Sequence, residues 1–235
     1  MSEQHWQLWF EKIWALREET LYRSFFGDTG PGIYTLPAST FASLGEPNPD
    51  PRFLTHGVFE CPPNPTRDHW LYVTSGMSNP WGDTPETANP EGYSGLGYEF
   101  TVHARERGRW PILLLHWLMA VQLLVAAGKL QGELLQRNDR IPLGGPLAKK
   151  DGLLTHALVT APDEVGLSDN QPFENQPTYP PVFALPSGHV DLLLLIGITE
   201  NEKNFAQSQS VEGLITLLRH HHVFPFTDPT RISMV

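Results

Sequence analysis

The sequence predicts an α+β domain with a central mixed, largely antiparallel sheet flanked by helices. Three observations lead to this class: β-prone runs separated by Pro- and Asn-rich loops, helical periodicity near the start of the chain, and one long apolar helix in its middle. At 235 residues the chain is long enough to bury a large core. We therefore expect one domain over residues 1–235, with an N-terminal helix at 4–25 and a motif-bearing core at 50–235.

The N-terminal helix is predicted from apolar side chains at helical spacing with charged residues between them. The stripe includes three tryptophans: Trp6, Trp9 and Trp14. This pattern indicates a large buried face, and an exposed partner-binding helix would show it as well. A turn-rich stretch follows, and then a short extended segment around Ile33–Leu36.

Three strands are predicted next, and they lie at Phe53–Phe59, His69–Thr74 and Gly97–Ala104. Their Pro- and Asn-rich connections are typical of antiparallel neighbours. The loop Asn79–Gly92 carries three acidic residues and almost no aliphatic side chain, so we expect it to be mobile and to lie at a recognition edge.

The segment Pro111–Gly128 is apolar apart from His116 and Gln122. At about 18 residues it is at the lower limit for a membrane span, and a Pro at its start with a Gly near its end favours a buried central helix. A second loop is expected at Gln136–Lys150. The last predicted elements are three strands and a helix: Thr155–Thr160, Val182–Leu185, His189–Thr199 and Ser210–His222.

Composition excludes some classes of partner. The formal net charge is −10, with 16 Lys and Arg against 26 Asp and Glu, so a phosphate backbone would be repelled and no nucleic-acid binding is expected. An acidic surface instead suits a basic protein. The single cysteine excludes an internal disulfide, and no secretory leader opens the sequence, which together predict a cytoplasmic setting without membrane attachment.

Metal and cofactor chemistry finds little support in the sequence. The consecutive His220, His221 and His222 would point in three directions on a helix, and no HxxxH, HExxH or CxxC pair occurs. We therefore predict no metal, no cofactor and no catalytic residues. The alternative is a hydrolase or metal-dependent enzyme built on a cluster of His, Asp and Glu side chains that would have to converge in space: His69, His103, His189, Asp191 and Glu99.

Two short patterns in the sequence add no support for enzymatic chemistry. Ser187, His189 and Asp191 are close in sequence, but no G-x-S-x-G elbow accompanies them and a hairpin explains the residues without chemistry. Gly95-x-Gly97 lacks the third glycine of a dinucleotide fingerprint, opens a strand and is followed by Glu99, so phosphate binding is not expected there.

The most informative stretch is His69–Pro111, which predicts a strand, a loop, a strand and a helix in succession. Its conspicuous residues are interpreted as determinants of the fold: Trp70, Gly95, Gly97, Glu99, Trp110 and Pro111. The series HWxY…GxS, SGxGxE-hydrophobic-T and WP resembles the Suppressor of fused family in order and spacing. The likeness extends over roughly residues 50 to 235, although His103 stands where the family tends to have Arg.

This resemblance implies a protein-binding domain without enzymatic activity. In the animal members a partner peptide pairs as an extended strand beside the first of two lobes, and this chain is similar to that first lobe only. Stand-alone bacterial members are associated with toxin–immunity loci, which implies an immunity protein whose partner is a toxin domain. The expected partner contacts are the loop carboxylates with one residue expected at a sheet edge: Asp83, Glu86, Glu91 and Tyr72. The resemblance also places a Gly-Asp pair in this loop, matched by Gly82 and Asp83.

Overall fold

The computed structural model describes residues 3–148, 150–162 and 179–235. Eight strands are described, and their bounds are β1 Tyr34–Thr35, β2 Gly57–Cys61, β3 Trp70–Ser75, β4 Tyr93–Ala104, β5 Arg140–Pro142, β6 Leu154–Thr160, β7 Val182–Leu185 and β8 Gly188–Thr199. The α-helices of the same ranges are α1 Glu3–Ala15, α2 Tyr22–Phe26, α3 Ala38–Ser43, α4 Trp110–Ala126, α5 Glu200–Ser208 and α6 Val211–His220. A π-helical segment, Leu16–Leu21, joins α1 to α2, and a 3-10 helix spans Pro51–Thr55.

All eight strands belong to one sheet, in the order β1-β2-β3-β4-β8-β6-β5, with β7 paired to β8 beside this path. The pairing between β4 and β8 is parallel, while the other pairs are antiparallel. The predicted α+β class with a mixed, largely antiparallel sheet is confirmed. The apolar strand β8 lies at the sheet centre, as its composition predicts.

Helices cover both faces of the sheet, and strand alternation divides the core between them. On β8, Leu193 and Leu195 face α4, whereas Leu192 packs with the α1–α2 side and Leu194 with α5 and α6. The α4 face therefore forms one core and the opposite face two smaller ones.

The N-terminal helix forms over nearly the predicted range, but its buried face is narrower than the three tryptophans indicate. Trp14 is 43% exposed, and Trp6 and Trp9 are half-buried. The buried apolar residues are instead Ile13 in α1 and Tyr22 and Phe26 in α2. The reason is local: of α1, Ile13 and part of Trp9 pack on the cluster that contains β2 and β3 residues, whereas Trp6 stacks on Trp81 of the loop before β4.

Several element boundaries differ from the prediction. The strand expected from Phe53 begins at Gly57, because Asp50 accepts a hydrogen bond from the Arg52 N–H at 2.9 Å and Pro51 starts a 3-10 turn. The predicted loop Gln136–Lys150 contains the short strand β5, and α3 and α5 were not predicted. Helix α5 begins with a capping box between Thr199 and Glu202, a signal the sequence carried.

The long apolar helix is α4, and its two polar side chains are satisfied internally. His116 contacts the carbonyl of Tyr34 at 2.8 Å, and the Gln122 amide oxygen accepts from the Tyr98 hydroxyl at 2.7 Å and from the Leu135 N–H at 2.8 Å. Among residues 3–148, 150–162 and 179–235, no helix combines the length and apolarity needed to cross a membrane.

Candidate functional site

A buried carboxylate organises the strand–loop–strand motif. Glu99 on β4 is fully buried and accepts four hydrogen bonds, from the Thr74 hydroxyl at 2.6 Å, the N–H groups of Gly76 and Ser78 at 2.9 Å each, and the Ser78 hydroxyl at 2.6 Å. Both carboxylate oxygens are thus occupied, one by Thr74 of β3 and the other by the turn that follows this strand. We call Glu99 with Thr74, Gly76 and Ser78 the Glu99 hub; it fixes where the next loop leaves the sheet.

The Glu99 hub is joined to the N-terminal helix through a buried cation. The Arg17 guanidinium donates to the Ser78 hydroxyl at 3.0 Å and to the Asn79 side-chain oxygen at 2.8 Å, and it pairs with Glu18 at 3.3 Å. The hydroxyl of Ser75 donates to the same Glu18 carboxylate. Removing one partner of such a network leaves a buried charge unpaired, which is strongly destabilising. The contacts of Arg17 therefore hold the N-terminal helix against the start of the loop.

Two glycines in β4 adopt backbone angles that favour glycine. Gly95 has φ +58° and Gly97 has φ +85°. A Cβ added to Gly95 would lie 2.6 Å from the carbonyl oxygens of Met77 and Asn79, whereas a Cβ on Gly97 would meet the ring of Tyr93 at 2.9 Å. Gly95 therefore permits the close approach of β4 to the turn, and the interpretation of both as fold determinants rests on positive φ.

The loop Asn79–Gly92, called here the acidic loop, is packed at its first half and open at its second. Trp81 packs on Phe10 with ring centroids 4.3 Å apart and on Trp6 at 6.0 Å, and the Trp6 indole N–H donates to the carbonyl of Asp83 at 2.8 Å. Glu86 and Glu91 are exposed, and Asp83 is half-buried. The structure therefore presents the predicted carboxylates on a loop whose start packs on α1 and whose last residue, Gly92, accepts a hydrogen bond from the His189 N–H at 2.7 Å.

The carboxyl of Glu86 has a local stabilising contact. A hydrogen bond from the Thr84 side chain lowers the pKa of Glu86 below its usual value, and His5 of α1 adds a smaller effect in the same direction. A lowered pKa keeps this carboxyl ionised at neutral pH. Glu86 is thus negatively charged where a partner would approach.

Tyr72 does not lie at a sheet edge, because β3 is flanked by β2 and β4. Its side chain is buried; the hydroxyl donates to Glu60 at 3.2 Å or to the Gly108 carbonyl at 3.1 Å, and it accepts from the Gly108 N–H at 3.0 Å. Burial raises the pKa of Tyr72 to about 12. Tyr72 positions Glu60, whose carboxylate pairs with Arg107 at 2.7 Å, so its place in the fold is that of a support.

The remaining motif residues, Trp70, Trp110 and Pro111, contribute to packing around α4. Trp70 and Trp110 are half-buried and pack against the core on the α4 side, and Pro111 is buried in the first turn of α4. The guanidinium of Arg107 lies 5.3 Å from the Trp70 ring centroid. On the basis of these contacts we continue to interpret all three as fold determinants, which remains a prediction.

His69 and His103 do come together. His69 Nε2 lies 2.7 Å from His103 Nδ1, His103 Nε2 lies 2.8 Å from the Tyr179 hydroxyl, and His69 Nδ1 lies 3.0 Å from the exposed carboxylate of Asp68. Burial lowers the pKa of both imidazoles, that of His103 well below its usual value. The pair is therefore neutral at pH 7, and its buried hydrogen bonds join the residue before β3, strand β4 and Tyr179, which lies three residues before β7.

The other members of the enzyme hypothesis do not join this pair. His189 and Asp191 lie on β8, where they pair with Ala184 and Val182 of β7, and Ser187 is buried with its hydroxyl 2.6 Å from that of Ser94. Both carboxylate oxygens of Glu99 already accept hydrogen bonds from Thr74, Gly76 and Ser78. No group of three His, Cys, Asp or Glu side chains suited to a metal occurs within the described ranges. The structure gives no support to the hydrolase alternative.

Sequence reasoning missed two buried polar residues of this region, Arg17 and His56. Arg17 falls four residues after Ile13, on the apolar stripe of the N-terminal helix, and a charge at such a position is a signal for a buried network. His56 precedes β2 and is completely buried, and no local pattern distinguishes it from a loop histidine.

Comparison with known proteins agrees with this architecture. The sequence profile for Suppressor of fused protein (SUFU) matches residues 55–232. The human Suppressor of fused homolog is 26% identical over 185 residues, which cover 75% of this chain and 34% of that protein, and the mouse homolog is 27% identical over the same length. The chain spans about a third of the length of these relatives.

Solved structures share the fold. A putative SUFU homolog from Neisseria gonorrhoeae superposes with a TM-score of 0.57 at 19% identity, covering 97% of this chain and 98% of that one. Drosophila Suppressor of Fused gives 0.55 at 18% identity, covering 86% and 52%, and the Sufu-Fu complex gives 0.55 at 19%, covering 86% and 93%. Because the profile match spans most of the chain and includes the motif-bearing strands, this protein belongs to the Suppressor of fused family.

Proposed function

We propose that this chain is a non-enzymatic protein-binding domain that sequesters a basic protein partner through its acidic loop. The observation that carries the proposal is the construction of that loop: exposed Glu86 and Glu91 are displayed on a segment whose start is fixed by the Glu99 hub and by Trp81. A fixed start limits the conformational entropy that binding would cost.

Charge supports the choice of partner. The net charge of −10 and the three carboxylates of the loop favour encounter with a cationic surface, chiefly by raising the association rate. One solved relative is a complex of Sufu with Fu, so a protein of this fold associates with another protein. We extend that property to this chain, with Asp83, Glu86 and Glu91 as the contacts.

The proposed biological role is that of a cytoplasmic immunity protein that neutralises a toxin domain. Stand-alone members of the resembled family occur in such loci, and an acidic protein is suited to covering a basic nuclease-like or membrane-active domain. This role requires binding that leaves the toxin chemically intact. The hydrolase alternative predicts instead that the partner is chemically changed.

The experiment is capture of a partner from cells of the source organism, followed by intact-mass analysis of the captured protein. Wild type is compared with Asp83→Asn/Glu86→Gln/Glu91→Gln and with a control that removes the same number of charges from exposed sites elsewhere: Glu106→Gln/Glu133→Gln/Asp151→Asn. We expect the loop variant to lose most of the capture and the control to keep it.

Unmodified mass of the partner supports the non-enzymatic role. Cleavage or covalent change of the partner would overturn it. Equal losses of capture in both variants would show that net charge decides binding and that the position of the carboxylates on the loop does not. A captured partner with an acidic surface would contradict the electrostatic argument directly.

A further inference from the structure

A cavity lies on the α4 side of the sheet beside strands β4 and β8, outside both the Glu99 hub and the acidic loop. Its volume is about 320 Å³, within the range of small-molecule pockets. Strand β4, whose register with β8 shifts between Tyr93 and Tyr98, contributes to its wall together with β8 and the loop 134–137. The apolar and aromatic part of the lining includes Tyr93, Leu96, Tyr98, Leu134, Leu135 and Leu193.

Two side chains of opposite charge belong to the wall of this cavity. Asp191 on β8 is partly exposed, and Arg137 in the loop between α4 and β5 is exposed, so a molecule in the cavity can reach both. Within residues 3–148, 150–162 and 179–235, neither side chain makes a hydrogen bond or an ion pair, with the other or with a third residue. The wall therefore offers one negative and one positive group, and both are unpaired.

The sheet holds Asp191 in this position. Its backbone lies between two neighbouring strands, paired with Tyr98 of β4 on one side and with Val182 of β7 on the other. Side chains two residues apart on a strand share a face, so Asp191 lies on the face of Leu193, which packs with α4. Burial raises the pKa of Asp191, and the positive charge of Arg137 lowers it by a smaller amount. Because a partly desolvated carboxylate without a donor is unfavourable, a cationic donor that reaches Asp191 from the cavity would stabilise its ionised form.

We propose that this cavity binds a small zwitterion, namely a free α-amino acid with an apolar side chain such as leucine. Its ammonium group donates to the carboxylate of Asp191, and its carboxylate accepts from the guanidinium of Arg137. Its side chain contacts the leucine side chains of the wall.

The two charges define this class of ligand. A simple cation would leave Arg137 unpaired, and a simple anion would leave Asp191 unpaired. A zwitterion carries both charges on one carbon atom and can bridge two side chains that do not contact each other. The inference goes beyond the proposed function and does not rest on it, because no residue of the acidic loop belongs to the wall of the cavity.

The test compares three probes with the same side chain: leucine, leucinamide, which lacks the carboxylate, and N-acetylleucine, which lacks the ammonium group. Binding to the whole chain is followed by the backbone amide resonances of Gly97 and Leu193, two residues of the wall, in ¹H–¹⁵N spectra. We expect saturable shifts with leucine and an affinity about tenfold above that for either other probe, because each of these lacks one charge-assisted contact.

Three variants separate the two contacts. Asp191→Asn should lower the affinity for leucine and leucinamide about tenfold and leave that for N-acetylleucine nearly unchanged. Arg137→Gln should lower the affinity for leucine and N-acetylleucine and leave that for leucinamide nearly unchanged. Arg140→Gln removes an exposed charge outside the cavity and should keep all three affinities.

Equal affinities for the three probes, or no saturable shift with leucine, would overturn the proposal. An unchanged order of affinities in Asp191→Asn and Arg137→Gln would overturn it too, and so would an equal loss in Arg140→Gln. The comparison of probes on the wild type stands without the variants, so the test does not depend on how well each variant folds. None of these affinities depends on whether the acidic loop contributes to capture of a protein partner.

Discussion

Replacing Gly95 with alanine should destabilise the fold far more than the same change at Gly97. Both have positive φ, for which a non-glycine residue costs about 1–2 kcal/mol. At Gly95 the new Cβ would also lie 2.6 Å from two backbone carbonyl oxygens, and overpacking of this kind costs about 1–3 kcal/mol more. We therefore expect a loss of about 2–5 kcal/mol for Gly95→Ala and about 1–2 kcal/mol for Gly97→Ala.

The difference arises from what each Cβ would meet. Next to Gly97 the nearest atoms are Cδ1, Cγ and Cβ of Tyr93, at 2.9–3.1 Å; this side chain is 65% exposed, so rotation can relieve the ring contacts, whereas the two carbonyl oxygens near Gly95 are fixed in the backbone. The free energy of unfolding is measured by urea denaturation of both variants, with Gly97→Val as a third that should lose a few kcal/mol because a β-branched residue fits positive φ poorly. An equal or smaller loss at Gly95 would refute the close-approach argument, and an unchanged Gly97→Val would refute the backbone argument.

Three other predictions follow from the buried groups and the loop. Glu99→Ala should lower the free energy of unfolding in urea by at least about 4 kcal/mol, because four buried donors lose their acceptor. Glu99→Gln keeps part of the contacts and should cost less. Similar small losses for both variants would contradict the claim that the Glu99 hub stabilises the fold. Burial lowers the pKa of His56 from 6.5 to about 4, so between these pH values the unfolded chain binds more protons than the folded one. The contribution of His56 to stability is therefore complete above pH 6.5 and falls toward pH 4 by up to about 1.4 kcal/mol per pH unit. His56→Gln should flatten this pH dependence of the unfolding free energy, and an unchanged slope would count against the assignment. In hydrogen exchange, amides of Thr84–Gly92 should exchange faster than those of His189–Thr199, with Trp81–Asp83 between them; equal protection of loop and strand would show that the acidic loop is not open.

The sequence predicted elements whose periodicity is strong and whose burial is nearly complete. Helix α4 and strand β8 were found within two residues of their observed bounds, and β7 at its observed bounds. The 3-10 turn before β2 and the short strand β5 were missed because their conformation depends on one side-chain cap and one strand pairing, which leave little periodic signal.

The candidate site was predicted in part for a comparable reason. The exposed carboxylates could be identified from the composition of the loop alone, since the exposure of Glu86 and Glu91 does not depend on a contact with another part of the chain. The role of Tyr72 could not, because only the strand order places β3 inside the sheet and turns an expected edge residue into a buried support for Glu60. Arg17 and Glu99 lie 82 residues apart in sequence, and only the folded chain brings both onto Ser78.

The most direct test of the account is the association rate with the captured partner at low and at high salt. Exposed charges are screened over about 8–10 Å at physiological ionic strength, so the rate for the wild type should fall steeply as salt rises. For Asp83→Asn/Glu86→Gln/Glu91→Gln we expect a slower rate at low salt and a much weaker salt dependence, while Glu106→Gln/Glu133→Gln/Asp151→Asn keeps the wild-type behaviour. Equal association rates for all three proteins at both salts would contradict the claim that the acidic loop is the recognition surface.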